Sequence, residues 1–502
     1  SALRLETETK NLPARVQVID QTVIEKSGAT DLVGLLRKEA NLQVRSTSGN
    51  LARASVSIGG FGDNAGHRTL VLLDGHRLNA FDLSPINWHS IPLSMIKSIE
   101  VIRGAQSGTY GNHSIGGVIK INTKLPNEKP SGSLEISAGS FDSFKTSGAY
   151  SQRLGEIGLT IFGERAESDG YRVNGDHQTD AGGVRLDWGG KSDFRGYLSW
   201  SLSNSAFGLP GDLNASALAV DRRQTKDSNA NDRGEEKSSH GRVGLTYGIK
   251  DNWSLENRFG YEDRNLAADM PSQSGYLSNA DYKTFSYSPI LHHHSEELDY
   301  LIGFDYFKGK IDLTANYTDF NGDASRDYER RTTAIFTSIR HSISEKWDWI
   351  GNLRYQKGEN ELAYAGTTLR DVNDEDWASG VGLVRKFGDF VDFVFNLGDI
   401  ILNEDVGAVS FLGVFVVDQR VVERIDMAGG FPGGGVHKDG GIDPYDVFID
   451  LYHGLPPVIA NVFFEGHPVL SIIVNSTQAV VNFTGLENKT ILFGMGNYFF
   501  KD

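Results

Sequence analysis

From about residue 133 onward the chain alternates. Phe194, Gly196, Leu198 and Trp200 share one register against Arg195, Tyr197 and Ser199, and Leu245 and Tyr247 stand opposite Thr246. Residues two apart lie on one face of a strand, so each such segment has an apolar face and a face carrying Arg, Glu, Asn and Ser. The pattern recurs in SLEISAG, FKTSGAYSQRL, IGLTIFGERAE, GVRLDWGG, RVGLTYGI, WSLENRFGYED, DYLIGFDYF, TTAIFTSIRHSI and DWIGNLRYQKG, with almost no helical period between them. The joints alternate in length. GE, KSD, KDN and SEK are tight, whereas 204–240, 263–281 and 308–330 read as long, polar, acidic loops. Tight turns at one rim and long loops at the other predict a transmembrane antiparallel β-barrel, its outward residues in lipid and its inward ones in water. Trp188, Trp253 and Trp347 near strand ends suit interfacial girdles. The competing soluble sandwich or propeller is disfavoured, since no blade-length repeat is present.

The first 125 residues have a different texture. After a polar arm, PARVQVID reads as a strand, and SGATDLVGLLRKEANLQV places Leu32, Leu35 and Leu36 on one face of a short helix, with Thr30 or Ser27 at its cap. ASVSIGGFG, HRTLVLLDG and SIEVIRG follow as strands, and IPLSMIKS as a turn of helix. The expected organisation is therefore an α+β unit over 1–125 and a β-barrel over 126–502. Within the first unit, RGAQSGTYGNHSIGGVIKI carries five glycines between two strand-like stretches. Glycine at that density weakens strands, so backbone there must pass close to something.

Composition narrows the function. The chain has 65 acidic and 49 basic residues, a net charge of -16, which argues against a nucleic-acid partner. It has no cysteine, which removes disulfides, thiolate metal sites and a cysteine nucleophile. Apolar runs such as GAVSFLGVFVV are too short for a spanning helix, which needs ~20 residues. No signal peptide is visible, so an exported protein would be present in mature form.

The segments LPARVQVID, SGATDLVGLLRKEANLQV, VSIGGFG, RTLVLLDGHRLN, IPLSMIKSIEVIRG and YGNHSIGGVIKINTK, in that order over about 115 residues, resemble the plug of a TonB-dependent outer-membrane receptor. Weaker similarity runs through the strands to about residue 400, and KTILFGMGNYFF is similar to a closing strand. The resemblance implies a barrel of about 22 strands, of which about 16 or 17 are readable here, around a plug. It also implies a Gram-negative outer-membrane location among lipid and lipopolysaccharide, and energy delivered by TonB with ExbB and ExbD. The contact segment for TonB would fall in ALRLETE or upstream. The implied cargo is a ferric siderophore or other metal chelate, with cobalamin, a corrinoid, as the alternative; no catalysis is implied. A passive pore or adhesin is the competing class. Gly59 stands where the family usually has Arg, and 403–445 loses strand alternation.

On that reading the plug loops 45–55 and 77–90 face outward. Asn50, Arg53, Asn79, Phe81, Asp82, Asn87, Trp88 and His89 combine aromatic surface with hydrogen-bonding groups, as a chelate or corrinoid site requires, or else they pack the loops against the barrel. Arg103 and Tyr110 are expected to anchor the plug, with Gly104, Gly111, Gly116 and Gly117 where backbone turns or passes closely. No cofactor is required. The loop ESDGYRVNGDHQTD offers Asp169, Asn174, Asp176 and Asp180 as oxygen ligands for a Ca2+ ion, against the plainer reading of a solvated acidic loop.

Other motifs carry less. GGFGDNA fits a dinucleotide fingerprint but is followed by a strand where a helix is needed. NHSIG around Ser114 lacks the elbow's first glycine. In LHHHSEE, His292, His293 and His294 would alternate across a strand and not converge with Glu296 on one ion.

Overall fold

The computed structural model describes residues 4, 15–46, 51, 53–61, 66–82, 84–190, 192–250, 252–319, 322–364, 367–387, 391–403, 413–416, 458–464, 467–474, 478–483 and 490–494. Asn50 and most of ALRLETE therefore lie outside the described residues, as does most of 403–445.

The N-terminal unit is built on a five-stranded sheet in the order Arg15–Ile19, Ile96–Arg103, Gly117–Thr123, Thr69–Leu73, His76–Arg77. Its one parallel pairing joins Thr69–Leu73 to Gly117–Thr123. The helix spans Leu32–Glu39, and its cap is Asp31, whose Oδ1 accepts from the Gly34 amide at 2.8 Å. Neither expected cap residue serves it. Ser27 ends a preceding helix, Gln21–Lys26, by donating to the Ile24 carbonyl at 2.8 Å. The turn expected in IPLSMIKS is a 3-10 turn at Leu93–Met95.

Each face of this sheet has its own core. On one side Leu32, Leu35, Leu36, Ile99 and Trp88 bury one another within the unit. On the other, Leu70, Leu72, Ile102, Tyr110 and Val118 meet Ile290, Leu301, Phe336, Ile350 and Val384, which belong to the large sheet. A sheet with two apolar faces needs two covers, and the second is the wall.

That wall is a 15-stranded sheet of antiparallel neighbours running from Ser131–Gly139 to Gly413–Val416. Its burial is inverted relative to a water-soluble protein. Leu134 is 77% exposed, Ile335 56% and Leu202 57%, while Arg185, Arg264, Arg340, Glu236 and Asp299 are buried, Arg185 and Glu236 against Asp74 and Arg53 of the N-terminal unit. An apolar outer face with a charged inner one suits strands standing in lipid around a wet interior. Among the described residues no helix is long and apolar enough to cross a membrane, which does not bear on strands.

The strands outrun their apolar alternation. Residues 263–281 and 308–330, expected as loops, are mostly strand: Trp253–Met270 turns directly into Tyr276–His294, and Leu298–Tyr317 is followed closely by Arg326–Ser344. Only ~10 residues of a tilted strand lie in hydrocarbon. A membrane strand longer than that needs no apolar face at its ends, which fits ladders that continue here past the hydrophobic pattern. The link at 204–240 is a true loop only over 209–232, where it carries the helix Ala215–Val220.

Four further strands, Val458–Phe464, His467–Val474, Gln478–Phe483 and Thr490–Gly494, form a separate antiparallel sheet. The stretch expected to close the barrel, Thr490–Gly494, pairs there with Gln478–Phe483.

Candidate functional site

The glycine-rich stretch meets the wall. After the strand ending at Arg103 the chain makes a one-turn helix, Ser107–Tyr110, whose end lies against the strand Trp347–Tyr364. Gly111 has φ +73°, and a Cβ there would lie 2.6 Å from Arg354 Nε and 2.7 Å from Gln356 Oε1. With no side chain at 111, Gln356 Nε2 reaches Asn112 Oδ1 at 2.8 Å, and Tyr110 packs beside Phe336. Arg77 fixes the loop from behind, donating to the carbonyls of Asn112 (2.7 Å) and Tyr110 (3.1 Å), while its Nη1 lies 3.1 Å from His113 Nδ1. Burial, and then the Arg77 cation, push His113 down to about 2, so its imidazole is neutral and accepts from Arg77. Burial and the neighbouring Arg354 lower Arg77 to about 9.

The other anchoring candidates act inside the unit. Arg103 donates to the Ala40 carbonyl at the end of the helix. Gly116 donates to the Arg68 carbonyl at 2.7 Å, and a Cβ there would be 2.7 Å from that oxygen, from the Ile58 carbonyl and from the Phe61 ring. Gly104 (φ +90°) turns the chain and Gly117 (φ +142°) starts the next strand. Ser114 Oγ donates to the Gly111 carbonyl at 2.5 Å, which makes it a loop brace.

Beside this contact lies a cavity of about 110 Å³ lined by five guanidiniums, those of Arg4, Arg77, Arg258, Arg330 and Arg354, and by one carboxylate, Asp305. Asp305 accepts from Arg354 at 2.8 Å and from both terminal nitrogens of Arg4 at 3.3 Å. Arg4 also lies over the rings of Phe336 (4.3 Å) and Tyr110 (5.0 Å). Arg258 is paired with Glu256 at 2.7 Å. The excess of positive charge makes the cavity a place for an anion.

The residues expected to meet a ligand are distributed differently from that expectation. Asn79 and Phe81 line the cavity; Phe81 sits among Tyr282, Phe307 and Tyr328, and Tyr282 donates its hydroxyl to the neighbouring Asp82 at 2.9 Å. Arg53 is ion-paired to Glu236 of the wall, which also accepts from Arg264 at 3.0 Å. Asn87 donates to Ser205 at 3.0 Å. Asn79 is turned inward, accepting from the Val71 amide at 2.7 Å and donating to the carbonyls of Gly66 and Thr69. Trp88 is core, its indole donating to the Ala54 carbonyl at 2.7 Å. His89 is buried against His177. Among the described loop residues, Asn79 and Phe81 reach the cavity, and Arg53 and Asn87 hold the loops to the wall.

Arg330, Arg354, Asp305, Tyr282, Phe307 and Tyr328 were not singled out from the sequence. Each occupies a polar-face position on a strand, and only the register brings them together.

The acidic loop is divided among arginines. Asp176 pairs with Arg233 at 2.6 Å and Asp180 with Arg165 at 3.3 Å. Among the described residues no group of three or more His, Asp or Glu gathers about one point. His292, His293 and His294 end the strand Tyr276–His294 with separate neighbours: Glu256 at 3.4 Å, the Trp253 ring at 4.8 Å and Asp299. Gly59 and Gly60 both have positive φ, and among the described residues that follow no α-helix precedes the strand Thr69–Leu73 to hold a pyrophosphate.

Comparison with known proteins agrees with this architecture. Residues 8–118 match the family described as TonB-dependent Receptor Plug Domain. The vitamin B12 transporter BtuB of Vibrio cholerae is 25% identical over 411 residues, covering 77% of this chain and 60% of that protein. The BtuB of Vibrio vulnificus strain YJ016 is 30% identical over 175 residues, 35% of this chain. Among solved structures, the ferric yersiniabactin uptake receptor FyuA of Yersinia pestis superposes with a TM-score of 0.66 at 16% identity, covering 76% of this chain and 64% of its own. The alcaligin receptor FauA of Bordetella pertussis gives 0.62 at 14%, covering 96% and 73%. The chain spans about three-fifths of the length of the curated relative from V. cholerae.

Proposed function

Because the chain is a TonB-dependent receptor, an N-terminal plug followed by barrel strands, we propose that it imports a scarce metal chelate across the outer membrane of a Gram-negative bacterium. The ligand is captured outside, the plug shifts when TonB, energised by ExbB and ExbD, pulls the N-terminal arm, and the ligand passes inward. No covalent chemistry is performed. The observation that carries this reading is the cavity between plug and wall, where five guanidiniums face one carboxylate. Such a field suits the carboxylate, catecholate or hydroxamate groups of a ferric siderophore. Arg4 links the arm to the same place: its guanidinium lies on Asp305, Tyr110 and Phe336, so a pull on the arm releases contacts at the cavity itself.

A second reading, cobalamin import, has its own support in the relatives that align over three-quarters of the chain, which are vitamin B12 transporters. Native mass spectrometry of the detergent-purified protein, exposed in turn to ferric siderophores and to cobalamin, separates the two. The chelate reading expects an anionic iron complex to be retained and Arg330→Ala to weaken it at least tenfold. Retention of cobalamin alone favours the second reading, and retention of neither contradicts both.

A further inference from the structure

Two pairs of histidines lie with their rings nearly in contact. His67 and His113 have centroids 5.5 Å apart, and His89 of the plug and His177 of the wall have centroids 5.3 Å apart with planes 53° from one another. Their surroundings are opposite. Around the first pair stand Arg68, Arg77 and Arg330, with Asp82 as the opposing charge beside His67, and His113 Nδ1 already lies 3.1 Å from the Arg77 guanidinium. Around the second stand Asp31 and Asp176, with Lys145 as the opposing charge, and that lysine is occupied by Glu164 at 3.2 Å and the Thr30 carbonyl at 2.5 Å. Nδ1 of His89 and Nδ1 of His177 are both buried without a hydrogen-bond partner, and His89 is only 8% exposed. A buried polar atom without a partner is costly and calls for an occupant.

We propose that His89 and His177 form a binding site for a divalent cation of the zinc, copper or nickel class, bridging the plug to the wall. Imidazole nitrogen lies ~2.0–2.1 Å from zinc, which places each ring centroid about 3.2 Å from the ion; a tetrahedral angle between them then separates the centroids by about 5.2 Å. The observed 5.3 Å matches that spacing before any ion is added. Imidazole coordinates when neutral, and burial, with the His177 ring next, holds His89 down at about 4. With no third protein ligand gathered among the described residues, two coordination positions are left for water or a donor atom of a passing ligand. An ion here cross-links the two parts that transport must separate, so metal occupancy would set how firmly the plug is held. The site stands on the geometry of this pair and is independent of which chelate is carried.

The test is cation binding by the detergent-purified chain with His292, His293 and His294 replaced by Gln, so that the turn after the strand Tyr276–His294 does not contribute. Calorimetry with Zn2+ is expected to give one equivalent that disappears in His89→Gln and separately in His177→Gln, and persists in His67→Gln. Cu2+ bound to the parent is expected to show two nitrogen couplings by electron paramagnetic resonance, a readout that does not depend on any substitution at the pair. An equivalent that survives both Gln variants, a Cu2+ spectrum lacking paired nitrogens, or no Zn2+ binding overturns the proposal.

Discussion

Gln356 of the wall donates to Asn112 of the plug at 2.8 Å across 244 residues of sequence, and the contact exists because Gly111 beside it has no side chain. A Cβ at 111 would meet the Arg354 guanidinium at a backbone φ of +73° that side chains rarely adopt. Gly111→Val is expected to lift the Ser107–Tyr110 turn from the wall while leaving the plug's own core formed. Hydrogen exchange would show faster exchange at 105–115 with little change at 32–39; unchanged exchange at 105–115 would refute the account of this glycine.

Gly116 has a different surrounding. Its missing side chain would press on two carbonyl oxygens and the Phe61 ring, all within the plug. Backbone does not yield as a flexible side chain does, so Gly116→Val is expected to destabilise the plug by about 2 kcal/mol or more. Limited proteolysis should then cleave the plug and spare the wall strands.

Glu236 is the shared counter-charge for Arg53 and Arg264, with its side chain 2% exposed. Glu236→Gln leaves two buried guanidiniums facing one another, a loss of about 3 kcal/mol for a buried network broken on one side. The expected outcome is a plug released at lower urea concentration, read as channel opening in planar bilayers. Replacing Arg53 and Glu236 together should recover part of that loss.

The plug also loses stability in acid. Burial first, then the Arg242 and Arg258 cations, hold His76 at about 3, and burial and Arg77 hold His113 at about 2. Unfolded, both take up a proton as the pH falls through about 6.5; folded, they stay neutral. Their contribution is therefore complete above pH 6.5 and declines as the pH falls toward 3, by up to ~1.4 kcal/mol per pH unit for each histidine. Urea titrations of the plug between pH 7 and 4 are expected to show this slope, and His76→Gln, whose amide can still hydrogen-bond the Tyr197 hydroxyl 2.9 Å from the ring, should reduce it by one proton.

Much of this architecture is legible in the order of residues. The apolar positions Leu32, Leu35 and Leu36 are buried on one helix face as the spacing implies, and Leu198 and Trp200 stand on the outer face opposite Tyr197. What is not legible follows from two physical facts. Beyond a strand's apolar band, as at Asp263 and Lys310, neither face carries the apolar alternation while the strand continues, so its signature stops before the strand does. And plug-facing residues such as Asp305, Arg330 and Arg354 sit on separate strands whose meeting is set by register and by the plug against them; one strand alone shows only an ordinary polar face. Trp88 misleads for a related reason: an aromatic residue in a polar loop looks like a ligand platform until its indole is seen to serve the Ala54 carbonyl inside the core.

The most direct test of the central claim is accumulation of a labelled ferric chelate retained by the protein, measured in cells that lack other receptors and express this one, with and without a protonophore. The account predicts uptake that ends when the proton gradient is removed, while binding at the surface persists. Uptake that continues undiminished without the gradient would mean a passive pore and would contradict it.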